Sequence, residues 1–140
     1  MAFRLIADDE RIYRFMLERG VTLIRSAGQQ GIGVERDGEL IGAVMYDEYN
    51  GNNIWMHVAG TDGVRWATKD FLRAVFRYPF EQLGVKRITG WVEASNAKAR
   101  RLDENLGFKQ EAVLSGAARD GGDVIIYCMK REYCRFLNKD

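Results

Sequence analysis

Residues 85–108, "VKRITGWVEASNAKARRLDENLGF", change period part-way along. The first ten are rich in β-branched and aromatic residues and read as a strand. From Asn96 the apolar positions Ala99, Leu102 and Leu106 follow helical spacing, with Asn96 as the cap. Gly107 supplies the left-handed residue that ends a helix, and Phe108 begins the next extended run. The segment is therefore strand–helix–strand. Asp103 sits in its middle, one position past the apolar Leu102, where an ordinary amphipathic helix gives no reason for a carboxylate.

Working upstream, "TKDFLRAVFRYPFEQLG" (68–84) reads as a helix with Phe71, Leu72, Val75, Phe76 and Leu83 inward. Pro79 lies inside that pattern and removes one backbone donor, so a kink or division is expected there. Before it, "NNIWMHVAG" (52–60) is a strand, which makes strands 54–59 and 86–93 parallel partners across a helical crossover. "GIGVERDGELIGAVMYDEY" (31–49) is a hairpin turned at Asp37-Gly38, since both residues tolerate positive φ. Residues 8–19, "DDERIYRFMLER", place Ile12, Phe15 and Met16 on one helical face, capped by Asp8 or Asp9 and ended by Gly20. "VTLIRSAG" (21–28) is expected to form a second short helix. Downstream, "FKQEAVLSGA" and "DVIIYCMKRE" close the chain as a hairpin around "ARDGGD".

The expected architecture is α/β in the α+β sense. It is a mixed, mostly antiparallel sheet with one central parallel pair and helices on both faces, in a single domain over residues 1–140. Parallel neighbours that diverge open a crevice at their C-terminal ends. The residues there are His57–Gly63 on one side and Val92–Asn96 on the other.

Composition sets bounds. Hydrophobic residues make up 46%, charged residues 29%, and Pro occurs once, which excludes a disordered chain. A net charge of +1 gives no general attraction to nucleic acid or anionic lipid, so any phosphate site must come from local geometry. One His and two Cys are poor material for a metal site, and none is expected. Cys128 lies in an apolar run and reads as core, with both thiols reduced. "MAFRLIADDE" lacks the pattern of a signal peptide, and no apolar run approaches about 18 residues. A cytoplasmic protein is expected.

The element order and the segment "NAKARRLDENLGF" resemble the GCN5-related N-acetyltransferase (GNAT) superfamily, nearest its protein N-terminal and small-amine branch. Asn96, Ala99, Leu102, Glu104, Gly107 and Phe108 fit that family's pattern. Asn105 replaces the usual Lys, and Asp103 stands where many members carry a Tyr. The resemblance implies acetyl-CoA as cofactor, held by Val58, Ala59, Gly60, Gly63, Val64, Arg65, Asn96, Ala99 and Arg100. Here the phosphate loop is "AGTDGVRWATK", and Asp62 would repel a diphosphate if it faced the loop. The basic run Lys98, Arg100, Arg101 offers cations for the nucleotide phosphate.

Acetyl transfer needs a base for the amine, a donor for the carbonyl oxygen and an acid for the leaving thiolate. His57, the only His, lies on the strand that meets the thioester and is the candidate base. Glu48, with Asp47, is an alternative base or a carboxylate for a cationic amine, and Tyr46 and Tyr49 add aromatic faces. The acid is open. An ionised Asp103 cannot donate at pH 7 unless burial raises its pKa, so Tyr127 or a water is the substitute. The expected activity is direct transfer to a protein N-terminus, a lysine or a small amine. The alternative is a catalytically weak or inactive GNAT-like binding module. Neither nucleic acid nor membrane is an expected partner, and a homodimer is left open.

Overall fold

A computed structural model describes residues 2–21 and 23–137. The elements are β1 (Phe3–Ile6), α1 (Asp9–Glu18), β2 (Gln30–Arg36), β3 (Glu39–Asp47), β4 (Asn53–Gly60), α2 (Lys69–Arg77), β5 (Arg87–Glu93), α3 (Ala97–Leu106), β6 (Lys109–Leu114) and β7 (Val124–Lys130). They form one sheet ordered β1-β2-β3-β4-β5-β7-β6. Among the described residues only β4 and β5 run parallel, and the other pairings are antiparallel. This is the mixed sheet expected from the sequence. Among the described residues, no helix is long and apolar enough to cross a membrane.

Helices cover both faces. On one, Ile12, Phe15 and Met16 of α1 pack on Leu40, Ala43, Met45 and Ala59. On the other, Phe71, Val75 and Phe76 of α2 and Leu106 of α3 meet Val44, Tyr46, Met56, Ile88 and Tyr127. Gly31 lets α1 approach, since a Cβ there would lie 2.9 Å from Ile12 Cδ1. Cys128 and Cys134 are both buried.

Local chemistry explains the boundaries. Asp37 and Gly38 take φ 52° and 86°, the conformation of a tight hairpin turn. Pro79 ends α2 at Arg77, and a wider turn over Tyr78–Gln82 follows, closed by Leu83 N to Tyr78 O at 3.0 Å. Proline has no N–H for the carbonyl four residues back, which is Val75. The buried Tyr46 hydroxyl donates to that carbonyl instead.

Two expectations fail. Residues 21 and 23–29 hold no helix, and Thr22 lies outside the described residues. The Gln29 side chain takes the local backbone groups, accepting from Ser26 N at 3.0 Å and donating to Ile24 O at 2.8 Å. A side chain that offers the backbone these bonds competes with a helix. The strand β1 was not anticipated. It pairs with β2, and Arg4 and Arg11 both reach the buried carboxylate of Glu35. Hydrogen bonding from Arg11 holds that carboxyl below the usual range.

Candidate active site

The parallel pairing of β4 with β5 registers only Asn53–Trp55 against Arg87–Thr89. Beyond it the strands part, and two adjoining hollows open in the gap. A cavity of about 120 Å³ is lined by Met56, His57, Val58, Val92, Leu102 and Asp103, with Trp91, Glu93 and Arg119 on its α1 side. A cleft of about 750 Å³ runs outward between Val58–Gly60, the loop from Asp62 to Ala67, and the α3 face carrying Asn96, Ala99 and Leu102. Val58, Asn96, Ala99 and Leu102 border both.

Strand alternation puts His57 on the α1 face, opposite Met45 of β3. Its Nε2 lies 3.1 Å from Asp47 Oδ2, which also accepts from Gln29 Nε2 at 3.2 Å. Both side chains of the pair are largely shielded, 9% and 13% exposed. With Nε2–H committed to the carboxylate, Nδ1 is the acceptor nitrogen. Glu48 does not join them. The strand ends at Asp47, Glu48 takes φ 55° and is exposed, and it lines neither hollow. The carboxylate at this site is therefore Asp47.

Asp103 reaches the gap from the other face. It is 93% buried, because its relative exposure is 7%. Gly90 makes room for it: a Cβ on that glycine would lie 3.3 Å from Asp103 Oδ2. Burial, reinforced by the neighbouring Glu104, raises the Asp103 carboxyl from 3.8 to about 7. The condition under which this residue can hold a proton near neutrality is met. Tyr127, the sequence-derived substitute, is placed elsewhere. Its hydroxyl donates to Glu104 Oε2 at 2.6 Å and accepts from Arg100 Nε at 3.3 Å, and it borders neither hollow. Burial and the Glu104 bond push its phenol above the ordinary range, which keeps it a structural donor.

Of the expected cofactor residues, Val58, Ala59, Gly60, Val64, Arg65, Asn96 and Ala99 line the large cleft. Gly63 does not, and serves the loop turn with φ 74°. Arg100 is turned away toward Tyr127, and Arg101 lines the cleft in its place. Asn96 caps α3, its Oδ1 accepting from Ala99 N at 3.1 Å, so its amide nitrogen is the part left to face a ligand. Asp62 is paired with Lys98 across the cleft mouth, which neutralises the repulsion its charge implied. Trp66, absent from the sequence-level list, lies flat on Gly42 and Gly60. A Cβ on Gly60 would sit 2.0 Å from its ring.

No family model matches the sequence, and no curated protein matches it. Solved structures do match. A chimera of spermidine N-acetyltransferase SpeG from Vibrio cholerae and hSSAT shares 20% identity over 94% of this chain and 97% of its own, with a TM-score of 0.73. The chain has the GNAT fold. Spermidine/spermine N-acetyltransferase SpeG from Vibrio cholerae, in complex with manganese ions, is 19% identical over 91% of this chain and 92% of its own, at a TM-score of 0.72. A GNAT-family acetyltransferase from Bacillus anthracis aligns over 73% of this chain and 66% of its own, at 17% identity and a TM-score of 0.61. In this GNAT fold the parted strands are β4 and β5, where His57 and Asp103 meet the gap from opposite faces.

Proposed function

We propose that this chain moves the acetyl group of acetyl-CoA to the primary amine of a small molecule. The observation that carries the reading is a pair of proton-handling groups on opposite sides of one gap, His57 on the α1 side and Asp103 on the α3 side. Acetyl-CoA fits the residues present: the cleft holds about 750 Å³, is floored by the Trp66 ring over Gly60, and is edged by Arg65, Lys98 and Arg101. The helix N-terminus of α2, capped by Thr68, follows directly on the cleft residue Ala67 and favours anions. When bound, it supplies the activated acyl group.

The protein groups then divide the proton traffic. His57 Nδ1 takes the proton released by the attacking amine, and Asp47 stabilises the imidazolium through Nε2. Asp103, protonated near neutral pH, holds a proton where a thiolate would leave. A thiol ordinarily titrates near 8.5, so this acid contributes part of the acceleration. Similarity in fold to enzymes named for spermidine supports a small amine over a protein N-terminus or lysine as acceptor.

The test has two stages. Acetyl-CoA at millimolar concentration must raise the thermal midpoint of the chain, since binding to the folded state alone stabilises it. Thiol release must then appear with small primary amines. A shift without turnover would leave an acyl-CoA-binding module; no shift would remove the cofactor.

A further inference from the structure

We infer that Gln29 is a positioning residue for the base: it fixes the His57 imidazole through Asp47, and it makes that steering depend on the fold of residues 24–26. The inference rests on the transfer reading above, in which His57 accepts the amine proton. Gln30 opens β2 opposite Tyr46, so the residue before it arrives at the end of β3, where Asp47 stands. Gln29 lies outside any helix or strand, yet it is only 4% exposed.

Each hydrogen-bonding position of its amide is taken. Nε2 donates to Asp47 Oδ2 at 3.2 Å and to Ile24 O at 2.8 Å. Oε1 accepts from Ser26 N and from Arg25 Nη1, both at 3.0 Å. Two acceptors therefore face the nitrogen and two donors face the oxygen, which leaves the amide one orientation. Turned over, it would set oxygen against oxygen at both Ile24 and Asp47. Arg25 is itself held on α1, its Nε donating to Glu10 Oε1 at 3.0 Å. The three bonds to residues 24–26 suffice to shape the loop. The fourth leaves the loop and ends on the carboxylate oxygen that meets His57 Nε2.

That fourth bond has a chemical consequence. A carboxylate held by one partner alone can rotate away from it, and a second donor removes that freedom. The Gln29 N–H also solvates the Asp47 charge in place of water. With Oδ2 fixed, the imidazole keeps its proton on Nε2, and Nδ1 stays the acceptor nitrogen. Gln29 borders neither hollow, so it acts on the base and not on a ligand.

The experiment uses two variants of the intact chain. Gln29→Glu keeps the shape but cannot donate to Asp47, and Gln29→Met keeps the length and removes all four bonds. Each is expected to lower kcat about tenfold, the weight of a hydrogen bond to a charged group, with KM little changed. In an Asp47→Ala background the same changes are expected to cost almost nothing more, because the carboxylate they act through is gone. His57 is the only histidine, so its imidazole ¹⁵N resonances are read without ambiguity. With the ring neutral, the unmodified chain is expected to show one tautomer, protonated at Nε2, and either variant a mixture of two. Losses that add fully to that of Asp47→Ala, or an imidazole spectrum that both variants leave unchanged, overturn the inference. If no amine is acetylated, the transfer reading fails separately and the imidazole spectrum decides this one: mixed tautomers in the variants support it, and an unchanged spectrum overturns it.

Discussion

Asp47 Oδ2 stands 3.1 Å from His57 Nε2 and 3.2 Å from Gln29 Nε2, so one carboxylate oxygen fixes an imidazole and is itself fixed by an amide. If His57 is the base, His57→Ala lowers kcat in a thiol-release assay by roughly 10²–10⁴-fold. Asp47→Ala, which leaves the imidazole in place but unsteered, produces a smaller loss. Equal losses would mean that Asp47 handles the proton itself.

Asp103 carries a pH signature. Its carboxyl titrates at about 7 in the folded chain and at an ordinary 3.8 when exposed. Between those values the unfolded chain gives up the proton first, so stability falls as pH rises from about 4 to about 7. The difference corresponds to roughly 4 kcal/mol at full ionisation. Asp103→Asn removes the penalty: its stability advantage over the unmodified chain grows through that window and then levels. The groups facing this site are Glu104, His57, Glu93 and Arg119. In activity, the same variant loses the proton source and turns over more slowly at pH 6–7. A pH series of denaturant unfolding with parallel initial rates checks both halves.

The Asp62–Lys98 pair stands where an anionic nucleotide would enter. Asp62→Asn frees the lysine and is expected to tighten coenzyme A binding roughly two- to fivefold, while Lys98→Ala weakens it by a similar factor. Both effects shrink as salt is added, because the groups are exposed. Calorimetry at two ionic strengths reads them.

Tyr46 and Pro79 form a coupled pair through Val75. Tyr46→Phe leaves the Val75 carbonyl buried without its donor, at a cost of about 1–3 kcal/mol. In a Pro79→Ala background the amide at position 79 can reach that carbonyl, so the same change should cost less. A double-mutant cycle by chemical denaturation measures the coupling.

Features set by neighbouring residues were legible in the sequence. The Asp37-Gly38 turn, the Asn96 cap and the Gly107 stop, with φ 111°, each rest on one local conformational preference. The parallel pair followed from the helix that separates its strands. Features set by distant residues were not legible. β1 is four residues long and is secured by Glu35, far along the chain. The carboxylate on His57 is Asp47 rather than Glu48 because the strand ends between them, a one-residue difference that reverses the face. Arg119 reaches Glu93 from a loop 26 residues away. Asp103 was visible as an anomaly, but its protonation depends on burial, which exists only after folding.

Trp66 lies against the floor of the large cleft and Trp91 against the wall of the small cavity, while Trp55 borders neither. Indole emission responds to its surroundings, so the molecule carries one optical probe for each ligand. Trp66→Phe should silence the response to a nucleotide thioester and Trp91→Phe the response to an amine. The order in which the two partners arrive can then be followed without any label.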